Sequence, residues 1–137
     1  MTSPTGNLLL GVAKVESQGK PWAQTISLGR HHLSSDEPIA GGGTDAGPAP
    51  FQLLLASLGA CTSMTLEMYA ARKGWQLGQL SCTLSLHREG DADRVERVLR
   101  CTAELTAEQR ARLLEIAGKT PVTKVLLRSF PITTTFS

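Results

Sequence analysis

Three cysteines are the residues of this sequence best suited to covalent chemistry, and their surroundings differ. Cys82 and Cys101 lie in segments where apolar and polar residues alternate, on the side that carries the leucines. Free cysteine in such a position usually packs as a small hydrophobic residue. Cys61 instead follows Gly59 and Ala60 in an apolar segment. Small residues permit a close approach to a helix, so Cys61 is the candidate reactive thiol, although tight packing alone would also account for them.

The number and spacing of the cysteines indicate a reducing environment. Three is an odd number, and no pair forms a CxxC motif. The segment Met1–Asn7 is polar and lacks the basic and apolar regions of a secretion signal. These features predict free thiols in a cytoplasmic protein. His31 and His32 are adjacent and would point to opposite faces of a strand, so we expect no metal site from them. We also expect no bound cofactor, since the sequence has no GxxxxGK(S/T) motif and no GxGxxG that follows a strand and opens a helix.

Composition limits the classes of partner. The chain has 137 residues, of which 41% are hydrophobic and 19% charged, with a net charge of +2. The length predicts one domain, residues 1–137. The interspersed charges and the 4% aromatic content favour neither nucleic acid nor a membrane surface. The longest apolar stretch, Phe51–Leu66, is too short and too polar to span a bilayer. The low charge content suggests a surface covered by a second copy of the chain.

A long core helix should carry Cys61. Pro50 suits a first helical turn, and Gly74 suits the position after the last one. From Phe51 to Leu66 the helix is apolar on nearly every face, which predicts burial. The loop before it, Ser34–Pro50, is long and rich in Gly and Pro, and such loops are often functional.

The remaining elements are predicted around this helix. Strand signals precede it at Leu8–Ser17 and Ala23–Leu28, with a third short strand at Arg30–Leu33. After the core helix, alternation predicts a strand pair, Leu80–His87 and Arg94–Leu105. A Thr106–Gln109 capping box then opens a helix whose inward-facing residues are Leu113, Leu114 and Ile116. A helix from Pro121 to Arg128 and a last strand, Pro131–Phe136, follow. Arg94, Arg97 and Arg100 do not share one strand face, so we expect no anion site from them. This order predicts an α+β fold with a largely antiparallel sheet.

The helix sequence from Pro50 to Trp75 resembles the cysteine-bearing central helix of the OsmC/Ohr family and is most similar to its YhfA-like branch. Two other stretches are similar to the same branch: Asp36-Glu37-Pro38 followed by Gly42–Pro48, and Arg110–Leu126. The resemblance runs from about Gly29 to the end of the chain. It implies an OsmC-like fold, with mainly antiparallel sheets wrapped around a central buried helix in an intertwined homodimer.

The resemblance also implies a thiol peroxidase. In family members with two motif cysteines, the helix cysteine attacks an organic hydroperoxide and becomes a sulfenic acid. A second cysteine, just before the Pro-Val of the downstream helix, then forms a disulfide with it. A dithiol reductant resets the site, and an arginine and a glutamate activate the first cysteine.

The family's functional positions transfer only in part. Cys61 matches the peroxide-reactive cysteine, but Thr120 occupies the place of the second one. A hydroxyl cannot form a disulfide, so an external thiol is the expected resolver. The activating glutamate of the peroxidase branches lies ten residues before the cysteine, where this chain has Phe51; Glu37 is the candidate substitute. Arg30, the only arginine before Cys61, is the default activating cation.

Two functions stay open at this level. One is a thiol-dependent peroxidase that reduces organic hydroperoxides through Cys61, with an external thiol, in oxidative-stress defence. The other is a non-catalytic OsmC-like protein that binds a small apolar or thiol-reactive ligand. A purely structural or interaction role fits the surroundings of Cys61 least well.

Overall fold

The structure is a computed structural model that describes residues 6–137. Its strands and helices confirm the predicted α+β class, with antiparallel sheets and a central helix. The chain divides into two compact units, Met1–Leu53 and Leu54–Ser137. The prediction of a missing secretion signal concerns a segment that lies almost wholly outside the described residues.

The first unit contains a three-stranded antiparallel sheet in the order β1-β2-β3. Its strands are β1 (Lys14–Ser17), β2 (Gln24–Leu28) and β3 (His31–Ser35). The predicted hairpin is present, but β1 begins at Lys14 rather than at Leu8. Lys14 pairs with Ser27, and β2 ends one residue later, so residues further upstream have almost nothing to pair with. A short 3-10 turn, Ile39–Gly41, interrupts the loop that follows β3.

Helix α1 (Pro50–Lys73) begins and ends where the sequence predicts. The Gln52 side chain accepts a hydrogen bond from the Ala49 N–H at 2.8 Å, which satisfies a free donor at the start of the helix. Gly74 adopts a φ of 71° directly after the last turn. That left-handed conformation is costly for residues with a Cβ, so glycine is the natural residue there.

The second unit packs the main part of α1 against a hairpin and two helices. These elements are β4 (Leu80–Glu89), β5 (Ala92–Cys101), α2 (Ala107–Ala117) and α3 (Pro121–Leu126). The strands are antiparallel, with Cys82 opposite Leu99. The Thr106–Gln109 capping box is present in full. The core of the unit joins α1 to α2 through Leu66, Tyr69, Ala70, Leu77, Leu113 and Ala117.

Three details of the predicted second unit are wrong. Strand β5 ends at Cys101 instead of Leu105. Leu114 is exposed, because the inward face of α2 is formed by Leu113 and Ala117. Residues 131–137 form no strand. A strand is stabilised by hydrogen bonds to a neighbour, and no described strand pairs with this segment.

The apolar surface of α1 is only partly covered within the chain. Leu58, Thr62 and Leu66 follow one another at i, i+4 spacing and are buried. Phe51, Leu54, Met64 and Met68 are exposed. All-round burial, predicted from the helix sequence, is therefore not achieved by a single chain.

Length and hydropathy alone do not distinguish α1 from a membrane span. Within residues 6–137 it is the one helix that meets such a test, with 24 residues and a mean hydropathy of 1.2. The apolar segment is therefore longer than the predicted Phe51–Leu66. Core helices meet the same test, and the buried face of α1 packs on the second unit's own core.

Candidate functional site

Cys61 lies in the middle of α1 and is partly exposed. The backbone N–H of Val122, in the first turn of α3, donates a hydrogen bond to its Sγ at 3.5 Å. A donor that faces sulfur stabilises the thiolate relative to the thiol. The thiolate is the nucleophilic form of cysteine. The geometry therefore suits a reactive thiol.

Gly59, one of the two small residues before Cys61, has a packing role. A Cβ added to Gly59 would lie 2.7 Å from Leu84 Cδ1 on β4. Glycine therefore allows α1 to approach the β4–β5 hairpin at this point. The close approach expected from the sequence is real, and a strand rather than another helix makes it.

Thr120 immediately precedes α3 and is completely buried. Its Oγ1 lies 2.6 Å from the Oγ1 of Thr123. The side chain makes no hydrogen bond to cap α3. The residue at the place of the second family cysteine thus contributes a hydroxyl to a buried hydrogen-bond cluster.

Arg97 is the centre of that cluster, and the sequence analysis missed it. Its Nη1 donates to Thr62 Oγ1 and to Thr123 Oγ1, both at 2.9 Å. Its Nη2 donates to the Ala117 carbonyl oxygen at 2.8 Å. We call Arg97, Thr62, Thr120, Thr123 and the Ala117 carbonyl the Arg97 cluster. It connects β5, α1, α2 and α3.

A signal for Arg97 was present in the sequence. Residues 95, 99 and 101 of the predicted strand were assigned to the inward side, and residue 97 has the same parity. Taken together with Arg94 and Arg100, which do not share its strand face, Arg97 gave no sign of an anion site. In the structure Arg97 is partly buried, whereas Arg94 and Arg100 are exposed.

Cys82 and Cys101 are half-buried and share one face of the hairpin. Burial raises the pKa of both thiols above the ordinary value, and the nearby charges of Arg97 and Arg110 oppose that rise only in part. A raised pKa leaves less thiolate at neutral pH. Both thiols therefore have the properties of packing cysteines.

The two predicted activating residues belong to the first unit. Arg30 lies in the turn between β2 and β3, and Glu37 lies in the loop before α1; both are exposed. Neither side chain forms an ion pair with another residue of 6–137. Their roles toward Cys61 stay predictions.

Asp36, next to Glu37, has a structural role. Its carboxylate accepts hydrogen bonds from the N–H of Glu37, Thr44 and Ala46 and from the Thr44 hydroxyl, at 2.8 to 3.2 Å. The Thr44 hydroxyl is the main cause that lowers the pKa of Asp36. Asp36 therefore orders the loop that leads to α1.

The part of the chain covered by the structure has no group of three or more His, Cys, Asp or Glu side chains that could hold a metal. Of the two adjacent histidines, His32 is engaged through Nδ1 with Ser27 Oγ at 3.1 Å.

The fold and the site together define a class: an α+β protein whose central helix carries a partly exposed cysteine. The model of the OsmC-like protein family matches residues 42–135, well over half of the chain. The chain therefore belongs to the OsmC-like family. No curated protein sequence matches it.

Solved structures of this family share the fold. An OsmC-like protein from Mycoplasma pneumoniae has a TM-score of 0.69 at 15% identity, covering 85% of this chain and 86% of that one. The organic hydroperoxide resistance protein OsmC of Legionella pneumophila has a TM-score of 0.63 at 19% identity, covering 88% and 90%. An organic hydroperoxide resistance protein from Elizabethkingia anophelis has a TM-score of 0.62 at 18% identity, covering 86% and 88%. The chain thus shares its fold with these two organic hydroperoxide resistance proteins.

Proposed function

We propose that this protein is a cytoplasmic, thiol-dependent peroxidase that reduces organic hydroperoxides through Cys61. The observation that carries the proposal is the partly exposed Cys61 thiol with the Val122 N–H directed at its sulfur. Membership of the OsmC-like family and the names of two structural relatives support the choice of an organic hydroperoxide as substrate.

The reaction would proceed in three balanced steps. The Cys61 thiolate attacks the terminal peroxide oxygen, so that an S–O bond forms, the O–O bond breaks, and the alkoxide takes up a proton to leave as an alcohol. Cys61 is then a sulfenic acid. An external thiol attacks its sulfur, forming a mixed disulfide and releasing water. A second external thiol restores Cys61 and leaves as the disulfide of the reductant.

We propose an external thiol as the resolver because Thr120 stands at the position of the family's second cysteine. Thr120 cannot form a disulfide, and its hydroxyl is held by Thr123. Cys82 and Cys101 lie on strands and face the core of the second unit. We therefore expect no internal disulfide with Cys61 after oxidation. Non-reducing peptide mapping of the oxidised protein checks this, and a Cys61–Cys82 or Cys61–Cys101 peptide would contradict it.

The decisive experiment traps the sulfenic acid. The protein is treated with an organic hydroperoxide and a sulfenic-acid trap, and its intact mass is measured. We expect one adduct, located at Cys61, that is absent in Cys61→Ala and present in Cys82→Ala. Failure to form any adduct in the wild-type protein would reject the peroxidase.

Arg30 and Glu37 are our proposed activating residues. A guanidinium near sulfur would favour the thiolate, and a carboxylate would orient the guanidinium through paired hydrogen bonds. Arg30→Met should slow iodoacetamide labelling of Cys61 at neutral pH by more than about tenfold, because the thiolate is the form that is alkylated. Glu37→Gln should slow it less. Unchanged labelling in Arg30→Met would remove Arg30 from the site.

A homodimer completes the proposal. The exposed apolar residues of α1, Met64 and Met68 among them, would be covered by a second copy of the chain. Exposed apolar surface of this kind marks interfaces. Light scattering should give twice the 14.6 kDa chain mass. A folded monomer at micromolar concentration would contradict the dimer.

A second candidate function is supported by a groove of about 650 Å³ in the second unit. Its walls are largely apolar and include Leu54, Leu58, Leu86, Leu99 and Leu126. Such a groove could hold a small apolar ligand without catalysis. This binder would give no sulfenic-acid adduct but would retain an apolar fluorescent probe, and Cys61→Ala would retain it equally.

A further inference from the structure

We propose that Arg97 is a positioning residue for Cys61: the Arg97 side chain holds the Val122 N–H against the Cys61 sulfur. The inference rests on the proposed function only in taking Cys61 as the reactive thiol. The residue concerned is neither Cys61 nor one of the two predicted activating residues, Arg30 and Glu37. Arg97 acts through Thr62 and Thr123, and its guanidinium donates to these two hydroxyls and to the Ala117 carbonyl oxygen, not to the sulfur.

A single guanidinium nitrogen connects the two sides of the N–H···S contact. Nη1 of Arg97 bonds both Thr62 and Thr123 at 2.9 Å. Thr62 directly follows Cys61, and Thr123 directly follows Val122. The neighbour of Cys61 and the neighbour of Val122 are therefore both hydrogen-bonded to Arg97 Nη1. A shift of α3 relative to α1 that separated Val122 from Cys61 would also break this pair of hydrogen bonds.

The hydroxyl groups are arranged so that every contact is satisfied. Thr62 Oγ1 donates to the Leu58 carbonyl oxygen at 2.7 Å, which leaves its lone pairs for Arg97. Thr123 Oγ1 lies 3.3 Å from the Ala117 carbonyl oxygen and can donate to it while it accepts from Arg97. Thr120 then donates to Thr123. A network in which every member is satisfied fixes its geometry more firmly than isolated bonds.

A third hydrogen bond of Arg97, to the Ala117 carbonyl oxygen, fixes the end of α2 to the same guanidinium. Nη2 bonds the last residue of α2, and only three residues separate α2 from α3. Arg97 thereby holds both ends of this short connection. Its guanidinium forms no ion pair with any carboxylate of residues 6–137, so its recorded partners are all neutral oxygens.

The test measures iodoacetamide labelling rates of all three cysteines by peptide mass spectrometry at pH 7. Arg97→Gln should slow labelling of Cys61 about tenfold, the effect of one lost hydrogen bond to a charged group. Cys101 should label as in the wild type, and Cys82, which loses the nearby Arg97 charge that lowers its pKa, should label no faster than in the wild type. Arg100→Gln, the matched control, removes the same charge from an exposed position on the same strand and should leave the Cys61 rate unchanged.

The direction of the change separates positioning from general loosening. A structure that merely loosened would expose buried thiols, so labelling of Cys82 and Cys101 would rise. A rise at all three cysteines, or an unchanged Cys61 rate in folded Arg97→Gln, would overturn the proposal. Where Arg97→Gln does not fold, Thr123→Val and Thr123→Ser decide. Thr123→Val should slow the labelling of Cys61 about threefold, and Thr123→Ser, which keeps a hydroxyl, should label at nearly the wild-type rate. Equal labelling rates in the two variants would overturn the proposal.

This outcome can be told apart from failure of the proposed function. Alkylation needs a reactive thiol but no peroxide. An absent sulfenic-acid adduct in the wild type would reject the peroxidase, while the labelling ratios would still accept or reject the role of Arg97.

Discussion

Asp36 in the first unit and Arg97 in the second are both charged side chains that are held by neutral partners. The Asp36 carboxylate, 2% exposed, accepts four hydrogen bonds from backbone N–H groups and a hydroxyl. The Arg97 guanidinium donates three to hydroxyl and carbonyl oxygens. A charge removed from water must recover its hydrogen bonds, and each cluster provides them without an opposite charge.

The two clusters differ in how far along the chain their partners lie. Every partner of the Asp36 carboxylate is within 10 residues of Asp36. The partners of the Arg97 guanidinium are 20, 26 and 35 residues away from Arg97. Asp36 therefore orders one loop, whereas Arg97 fixes the packing of four elements. The same chemistry has a local effect in one place and a tertiary effect in the other.

The largest expected effect is loss of the Arg97 side chain. Arg97→Met leaves three acceptors without their donor and should lower the free energy of unfolding by about 3 kcal/mol. Urea denaturation measures this change. Arg100→Met, on the exposed face of β5, should have an effect below about 0.5 kcal/mol. Equal effects of the two variants would show that the Arg97 cluster does not stabilise the packing.

The loop around Asp36 should tolerate little added volume. A Cβ at Gly43 would overlap the Glu37 carbonyl oxygen and lie 2.8 Å from Asp36 Oδ1. Gly43→Ala should therefore cost about 2 kcal/mol. Gly41→Ala is the control, since its Cβ would make only ordinary contacts, 3.4 Å from Glu37 Oε2 and 3.6 Å from Glu37 Cβ and Pro38 Cδ. Denaturation curves in which both variants match the wild type would contradict the tight loop.

Removal of the Thr120 hydroxyl should have a smaller effect. Thr120→Val deletes the 2.6 Å contact with Thr123 and should cost about 1 kcal/mol. Combined with Arg97→Met, the two losses should be less than additive, because both act on Thr123. A double-mutant cycle measures the coupling. Strict additivity would mean that Thr120 is not part of the Arg97 cluster in energetic terms.

The smallest effect is a change in the pH dependence of stability. The pKa of Asp36 is lowered in the folded protein from its ordinary value of 3.8. Its contribution is therefore complete above that value and is lost as the pH falls through the lowered folded pKa. The unfolding free energy should fall less between pH 5 and pH 2 in Asp36→Asn than in the wild type.

The Thr44 hydroxyl, the main cause of the lowered Asp36 pKa, provides a second variant for this test. Thr44→Val removes the hydroxyl that lowers the pKa of Asp36 most and should reduce the same acid-dependent loss. Glu37→Gln, an exposed neighbour, serves as the control. Acid denaturation that is identical in the wild type, Asp36→Asn and Thr44→Val would contradict the role given to Asp36.

Much of the fold could be predicted because its signals are local. Pro50 and Gly74 set the limits of α1, and the Thr106–Gln109 pair set the start of α2. The strand pair β4–β5 followed from alternation. The predicted last strand and the extended first strand failed because a strand depends on a partner that no local pattern supplies.

The candidate site was predictable only in part. Cys61 was recognisable from the residues around it and from the family resemblance. Arg97 was missed because its inward direction depends on strand parity and its partners lie in three other elements. Parity alone would have predicted a charge facing the core without showing what satisfies it.

By itself, the sequence determined the class of fold, the limits of the long helix, the candidate thiol and the absence of a cysteine at position 120, because these depend on residue type and short-range pattern. Only the tertiary structure decided that Val122 donates to Cys61, that Gly59 makes room for Leu84, and that Arg97 is shared between Thr62 and Thr123. Those contacts join residues far apart in the chain. Their existence depends on how the elements pack, and packing is set by all of the buried side chains together.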